Sequence, residues 1–201
     1  MTYRPRDQQP GWHHVGARGN NKQRIFRTNQ DRYLFLFLLT VLAKKHDWRI
    51  LAYCLMRNHY HLVLRIGPTG LAQGMCELQT GYAVSFNRTH GRIDHLFGKR
   101  YWSERAVSDD HRKNVVRYVL QNPRRAGAKG PLESHRWTSY AATIGKQFPV
   151  ARFARDELLA LFGTSPQDAV ASFISFCEEE PPGGAPVPRQ PLAQNARVRA
   201  T

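Results

Sequence analysis

Cysteine is scarce. The 201-residue chain holds three, Cys54, Cys76 and Cys177, an odd number at wide spacings with no Cys-x-x-Cys pair. This gives no basis for a disulfide framework or a zinc ribbon, and it fits a reducing compartment. Acidic residues are also few: fifteen Asp and Glu against thirty Lys and Arg, with only nine of the fifteen in residues 1–150. A carboxylate-based metal nuclease or integrase needs a trio spaced on strands and a helix, and those nine supply no clear one. Long apolar runs are missing as well. The longest, Tyr33–Ala43, is too short to span a bilayer and is flanked by Arg32 and Lys44. With neither a signal peptide nor a membrane anchor apparent, the expected location is the cytoplasm.

The shortage of acid leaves a formal net charge of +15, a strong attraction to a polyanion, and nucleic acid is the leading partner. The surplus is uneven. Residues 1–150 carry 25 basic and 9 acidic side chains, residues 151–201 carry 5 and 6, so the nucleic-acid surface is expected in the first part. The length suits one well-packed domain with an appendage. The reading is a principal domain over 1–150, a helical appendage over 151–180 and a tail over 181–201.

Residues 12–18 (WHHVGAR), running into Gly19-Asn20-Asn21, read as a first strand closed by a polar turn. A helix follows over 30–46, in which Tyr33, Phe37, Val41 and Leu34, Leu38, Leu42 outline a wide apolar face for packing on a sheet. Residues 48–56 and 59–66 are strand-like runs two residues apart. That is the spacing of a tight antiparallel hairpin, although Arg57-Asn58 lacks the glycine such turns favour. After a break at Gly67-Pro68-Thr69-Gly70, helical spacing resumes through Leu71, Met75, Leu78, Tyr82 and Phe86. Residues 95–107 alternate basic and aromatic side chains and supply a further strand or strand pair. Ser108-Asp109-Asp110 starts a helix expected to reach about Gln121, because Pro123 disfavours helical geometry at Asn122. Weaker helical segments follow near 156–162 and 166–178. The stretch from Pro181 has almost no large apolar residue to bury and is expected to be disordered.

On a strand, residues i and i+2 face the same way, so His59 and His61 project together while Tyr60, Leu62 and Leu64 face the other side. Two imidazoles on a rigid strand are half of a divalent-metal site and need one or two further ligands. Tyr118 and Asn122 are four residues apart, so one helical face presents a phenol and an amide oxygen together. With that helix near the histidine strand, a metal would polarise a phosphate oxygen while the Tyr118 oxygen attacks phosphorus. One hydrolysis becomes two transesterifications, and no water need be activated.

The segment AYCLMRNHYHLVL resembles the His-hydrophobe-His (HUH) segment of prokaryotic single-tyrosine transposases, and RYVLQNPRRAGA resembles their catalytic-tyrosine segment. HHVGARGNN, YAVSFNRTHGRIDHLFGKRYWSE and RWTSYAA extend the likeness over roughly residues 10–145, most closely to REP-associated tyrosine transposases. The resemblance implies an α+β fold, a ferredoxin-like or RRM-like antiparallel sheet with helices packed on it and the HUH motif on a central strand. It implies Mg2+ or Mn2+ with no further small-molecule cofactor, and single-stranded or hairpin (REP-like palindromic) DNA as substrate. The implied activity is that of a DNA endonuclease and strand transferase working through a covalent 5′-phosphotyrosine and leaving a free 3′-hydroxyl. It puts His59, His61 and Asn122 at the metal and Tyr118 in the nucleophile's place. Both monomers and homodimers fit it, and a protein of this kind is nucleoid-associated when bound to DNA. One departure is Arg57, where proline usually precedes the Asn-His of the motif. The ligands stay intact, and the change bears on the hairpin or adds a phosphate contact.

Other candidates keep two readings. Arg18, Gly19 and Asn20 form a turn or touch the DNA backbone. Lys99, Arg100, Arg124 and Arg125 bind phosphates or are a solvated charged face. Tyr101, Trp102 and Trp137 fill the core or stack on unpaired bases. His13 and His14 face opposite ways, so at most one approaches the site, and a structural role is expected. The competing function is a non-catalytic RRM-like nucleic-acid-binding module. It would use the same sheet, yet gives no reason to combine His-x-His with Tyr-x-x-x-Asn.

Overall fold

Alternating side chains on four short strands give the sheet two buried faces, and the helices are distributed according to which face they cover. The computed structural model describes residues 7–150 and 152–179, so the expected disorder over 181–201 lies outside the described residues. In chain order the elements are β1 (Gly11–Arg18), a 3-10 turn (Asn20–Lys22), α1 (Asn29–Lys45), β2 (Arg49–Leu55), β3 (His59–Ile66), α2 (Ala72–Thr89) and β4 (Trp102–Ala106). They continue as α3 (Asp109–Leu120), α4 (Asn122–Arg125), a 3-10 turn (Leu132–Ser134), α5 (Tyr140–Thr143), α6 (Arg155–Leu159) and α7 (Pro166–Glu178). The strands are antiparallel in the order β2-β3-β1-β4. With two helices crossing between strand pairs, this is the expected ferredoxin-like α+β arrangement, and the histidine strand β3 is internal.

One face carries Val15, Ala17, Tyr53, Tyr60, Leu62 and Leu64 and packs with α1 and α2 through Phe35, Leu39, Leu78 and Tyr82. The opposite face carries Trp12, Cys54, Val63 and Ala106 and packs with Val115, Val116 and Val119 of α3 and Phe173 of α7. Each fully buried large apolar side chain contributes about 1.5–3 kcal/mol. α7 is also tied by polar contacts: the Gln121 amide donates to the Cys177 carbonyl at 2.7 Å, and buried Arg117 donates to the Phe176 carbonyl at 3.5 Å.

Helix α1 begins in a capping box, with the Thr28 hydroxyl accepting from Asp31 N–H and the Asp31 carboxylate from Thr28 N–H. Its buried stripe is Phe35, Leu36, Leu39, Leu42 and Ala43, whereas Tyr33, Phe37 and Val41, read from the sequence as part of the packing face, are exposed. The helix is apolar nearly all round, so periodicity marks no single side, and contact with α2 and the sheet selects one. In α3 the Ser108 cap is as expected, and the helix ends at Leu120. Against the expectation that Pro123 would keep Asn122 out of helical geometry, Asn122 is the first residue of α4, and Pro123 sits in that helix's first turn, where a missing N–H costs nothing.

The β2–β3 hairpin turns through Arg57 and Asn58, and neither has positive φ. Its tip is held from outside. The Arg57 carbonyl accepts from Ile25 N–H at 3.0 Å and Phe26 N–H at 3.1 Å, and the Asn58 carbonyl accepts from Gly19 N–H at 2.8 Å. These three bonds do the work that a glycine or proline in the turn would otherwise do.

Candidate active site

The register of β1 against its neighbours assembles one end of the α3-covered face. Arg18 stands opposite His59 and Gly16 opposite His61, while Gly16 also faces Trp102 on β4. Side chains opposed across antiparallel strands share a face, so Arg18, His59, His61, Trp102 and, by alternation, His14 all point the same way. Gly16 makes the arrangement possible, because a Cβ there would stand 2.6 Å from the Trp102 ring and 2.9 Å from the Tyr60 carbonyl. Gly19 closes the strand for a similar reason. A Cβ at that position would meet the Gln23 carbonyl at 2.2 Å.

Helix α3 brings Tyr118 onto this face. Its ring centroid is 5.6 Å from that of His61 and 5.6 Å from that of His14, and the Arg125 guanidinium lies 5.0 Å from the Tyr118 ring centre. The side chain is buried. One turn later Asn122, at the start of α4, places Oδ1 3.2 Å from His59 Nε2, and the His59 and His61 rings are 5.1 Å apart edge to face. The four residues singled out for chemistry are thus neighbours in space.

Hydrogen bonds fix the tautomer of His59. The Asn58 amide donates to the Lys22 carbonyl at 3.1 Å, which leaves Asn58 Oδ1 to accept from His59 Nδ1–H at 2.7 Å. In the neutral ring Nε2 is then a bare lone pair facing the Asn122 oxygen. The two acceptors are reconciled by a cation between them or by a half-turn of the amide that offers Nδ2–H instead. His61 Nδ1 is 3.0 Å from His14 Nε2, and His61 Nε2 is buried without a hydrogen-bond partner.

Burial keeps these imidazoles neutral. Desolvation pushes His61 well below the ordinary value, with the charges of His14, His59 and Arg18 acting in the same direction. It also lowers His59, outweighing the opposing Asn122 hydrogen bond and joined by the Arg18 charge. His14 is pushed down to about 3 by burial, with His111 adding to the effect. Neutral imidazoles are the form that binds metal.

Among the described residues no cluster of three His, Cys, Asp or Glu is placed to hold a metal, and the further oxygen within reach of the histidine pair is Asn122 Oδ1, 3.2 Å from His59 Nε2. The donor set of two imidazole nitrogens and one amide oxygen suits a divalent ion of intermediate hardness. Adjacent ligands of an octahedral ion with bonds of about 2.1 Å are about 3 Å apart, close to the 3.2 Å between His59 Nε2 and Asn122 Oδ1. The residues fit Mg2+ or Mn2+.

Beside the histidines is a cavity of about 360 Å³ lined by Arg18, Asn20, Lys22, Lys99, Arg100 and Trp102 as well as His59 and His61. Arg18, Asn20, Lys99 and Arg100, proposed from sequence for DNA contact, thus gather at the site, and Arg57 is exposed at the hairpin tip. Arg125 lies over Tyr118, while Arg124 is engaged elsewhere, 2.6 Å from Glu178 and 3.3 Å from the Gly130 carbonyl. Of the three aromatics left open, Tyr101 is in the main core, Trp137 is partly buried beside Arg32 and Arg136, and Trp102 walls the cavity. Two site residues were not singled out from sequence. Asn58 escaped because its role is a bond to a neighbouring side chain. For His14 the sequence allowed at most one of the pair His13 and His14 near the site and favoured a structural role; the register puts His14 on the site face, 3.0 Å from His61, and its strand parity with Arg18 was the available signal.

Fold and site together define a class: ferredoxin-like proteins that set a His-hydrophobe-His pair on a central strand against a tyrosine on a covering helix. The sequence model of the family described as Transposase IS200 like matches residues 11–122, and the chain belongs to that family. It is therefore a transposase-family protein, of a kind that acts on DNA. Among curated proteins none matches. Among solved structures, the REP-associated tyrosine transposase bound to a REP hairpin is similar at a TM-score of 0.59 and 15% identity, over 75% of this chain and 90% of that one. A candidate transposase from Deinococcus radiodurans r1 aligns at a TM-score of 0.42 and 16% identity, over 59% of this chain and 95% of the other. No helix among the described residues is long and apolar enough to cross a membrane.

Proposed function

We propose that the protein is a metal-dependent DNA endonuclease and strand transferase that cuts single-stranded or hairpin DNA through a covalent 5′-phosphotyrosine at Tyr118. The observation that carries this reading is the convergence of His59 Nε2 and Asn122 Oδ1 at 3.2 Å beside His61 and the Tyr118 ring. His59, His61 and Asn122 would hold Mg2+ or Mn2+, which when bound supplies Lewis-acid polarisation of a phosphate oxygen. Arg18 and Lys99 bind flanking phosphates in the cavity, and Arg125, over the Tyr118 ring, offsets charge developing on the phosphate. The Tyr118 oxygen forms a bond to phosphorus and releases its proton to solvent. The bond from phosphorus to the 3′-oxygen breaks, and that oxygen takes up a proton to become a free 3′-hydroxyl. Attack by a 3′-hydroxyl in the reverse sense rejoins a strand and frees the tyrosine. The similar structure bound to a REP hairpin supports a palindromic hairpin as the substrate class.

The test is to incubate the protein with a panel of short hairpin DNAs and Mn2+ and look for a denaturant-resistant protein–DNA adduct. The wild type forms the adduct and Tyr118→Phe does not. An adduct in Tyr118→Phe overturns the nucleophile, and binding without any adduct across many palindromes favours a non-catalytic module.

A further inference from the structure

Between His14 Nε2 and His61 Nδ1, 3.0 Å apart and buried, two neutral rings share a single proton. If His14 donates, His61 carries its other proton on Nε2, the atom that has no partner in the protein and that a metal would need bare. If His61 donates, its Nε2 is a free lone pair and the remaining proton sits on His14 Nδ1. That nitrogen is also buried and unpartnered. The strand register sets a carboxylate on the neighbouring strand. Glu104 is the cross-strand partner of His14 on the same face of the sheet, and its Oε2 is likewise buried without a hydrogen-bond partner. Directly opposed residues have Cβ atoms about 4.5–5.5 Å apart, and since neither atom has a hydrogen-bond partner the link between them runs through a bridging water or a small side-chain rotation. Three orphaned polar atoms thus fall into one sequence: a carboxylate oxygen, the far nitrogen of His14 and the far nitrogen of His61.

We propose that His14 is a positioning residue for the metal site, accepting from His61 Nδ1–H so that His61 Nε2 faces the ion as a bare ligand, with Glu104 taking the proton on His14 Nδ1. The inference rests on the reading of His59, His61 and Asn122 as metal ligands. It extends the usual carboxylate–histidine–metal relay by one imidazole, placing its support on β1 and β4. His59 has a separate support of its own in Asn58, so the two ligands are oriented from opposite sides.

Two readouts test it without DNA. In nitrogen–proton NMR spectra of the metal-free wild type, the ring signals of His61 show the proton on Nδ1; a proton on Nε2 overturns the proposal. In Mn2+ titrations followed by electron paramagnetic resonance, His14→Phe weakens binding about 10–100-fold, as expected for loss of an outer partner. His14→Gln, whose side-chain oxygen falls near the position of Nε2, restores most of the affinity, and Glu104→Leu lowers it in the same direction as His14→Phe. Unchanged Mn2+ affinity in a folded His14→Phe protein, or equal loss in the Phe and Gln variants, overturns the role. A parallel His59→Ala, His61→Ala protein separates the two levels: if it still binds Mn2+ as the wild type does, the ligand assignment itself fails. The NMR measurement on the wild type decides the tautomer even if His14→Phe does not fold.

Discussion

Asn122 Oδ1 stands 3.2 Å from His59 Nε2, joining the first residue of α4 to the first residue of β3. The chain reaches this contact because α4 opens at Asn122 directly after the end of α3 at Leu120 and the intervening Gln121. Replacing Asn122 with Ala is expected to weaken Mn2+ binding about tenfold or more while leaving the fold intact, as removal of one ligand should. Asn122→Asp should retain binding or strengthen it, since a carboxylate oxygen is the better donor for a hard cation. Equal Mn2+ affinity in Asn122→Ala and wild type, measured by titration, removes Asn122 from the site.

Lys99 and Arg124 provide a paired test of the DNA surface. Lys99 lines the cavity beside His59, whereas Arg124 is bonded to Glu178. Lys99→Ala should reduce the slope of log K against log salt for single-stranded DNA by about 0.7, the signature of one lost phosphate contact. Arg124→Ala should leave that slope nearly unchanged and instead loosen α7. Fluorescence-anisotropy titrations over a salt series distinguish these outcomes, and the reverse pattern would move the DNA path to the α4 side.

Stability should fall as pH drops from about 6.5 toward 5, because burial lowers His13, and His14 to about 3, from the ordinary value of 6.5. The sign follows from proton uptake. In this window the unfolded chain binds more protons at these histidines than the folded chain does, so acid favours unfolding. The contribution is complete above pH 6.5 and is lost progressively as the pH falls toward the folded-state values. Urea unfolding of the metal-free protein at pH 7.5, 6 and 5 should show the decline, and His14→Gln should make it shallower. A flat profile would mean these rings are more hydrated than their burial implies.

Gly19→Ala should destabilise the protein by about 1–3 kcal/mol, the usual cost of forcing extra volume into a tight position. The added carbon meets a backbone carbonyl, Gln23 O, at 2.2 Å, and no side-chain rotation relieves that. Because Gly19 N–H also holds the hairpin tip, Mn2+ affinity should drop along with the urea midpoint. A stable variant with a normal midpoint would show that the turn has room to shift.

Phe173→Ala should cost about 3–5 kcal/mol, the range for emptying a buried aromatic site. Phe173 is fully buried in the same core as Tyr118, Val116 and Val119. Denaturant unfolding measures the loss. A cost below about 1 kcal/mol would mean that α7 rests on α3 without supporting it.

How much of this was legible in sequence depends on what kind of interaction fixes each residue. His59 and His61 share a face by strand alternation alone, and Ser108 caps α3 through local backbone chemistry, so those features could be read from the chain directly, whereas Pro123 did not keep Asn122 out of a helix. The buried side of α1 could not. Tyr33, Phe37 and Val41 are as apolar as the residues that pack, and only contact with α2 chooses between them. His14 was hidden for a different reason: its partner is 47 residues away, and the register that joins them is a property of the sheet. The hairpin without glycine was puzzling while its pins lay on another loop. Fold class depended on local pattern, whereas the outer parts of the site depended on pairing across strands.

The hairpin that delivers His59 is fastened by its carbonyls, so the identity of the side chain at position 57 is separated from the geometry of the histidine two residues on. In this chain the tip is held by the loop around Gly19, Ile25 and Phe26, whichever side chain stands at position 57. Exchanging the loop, more than the residue at the tip, is what would retune the position of His59.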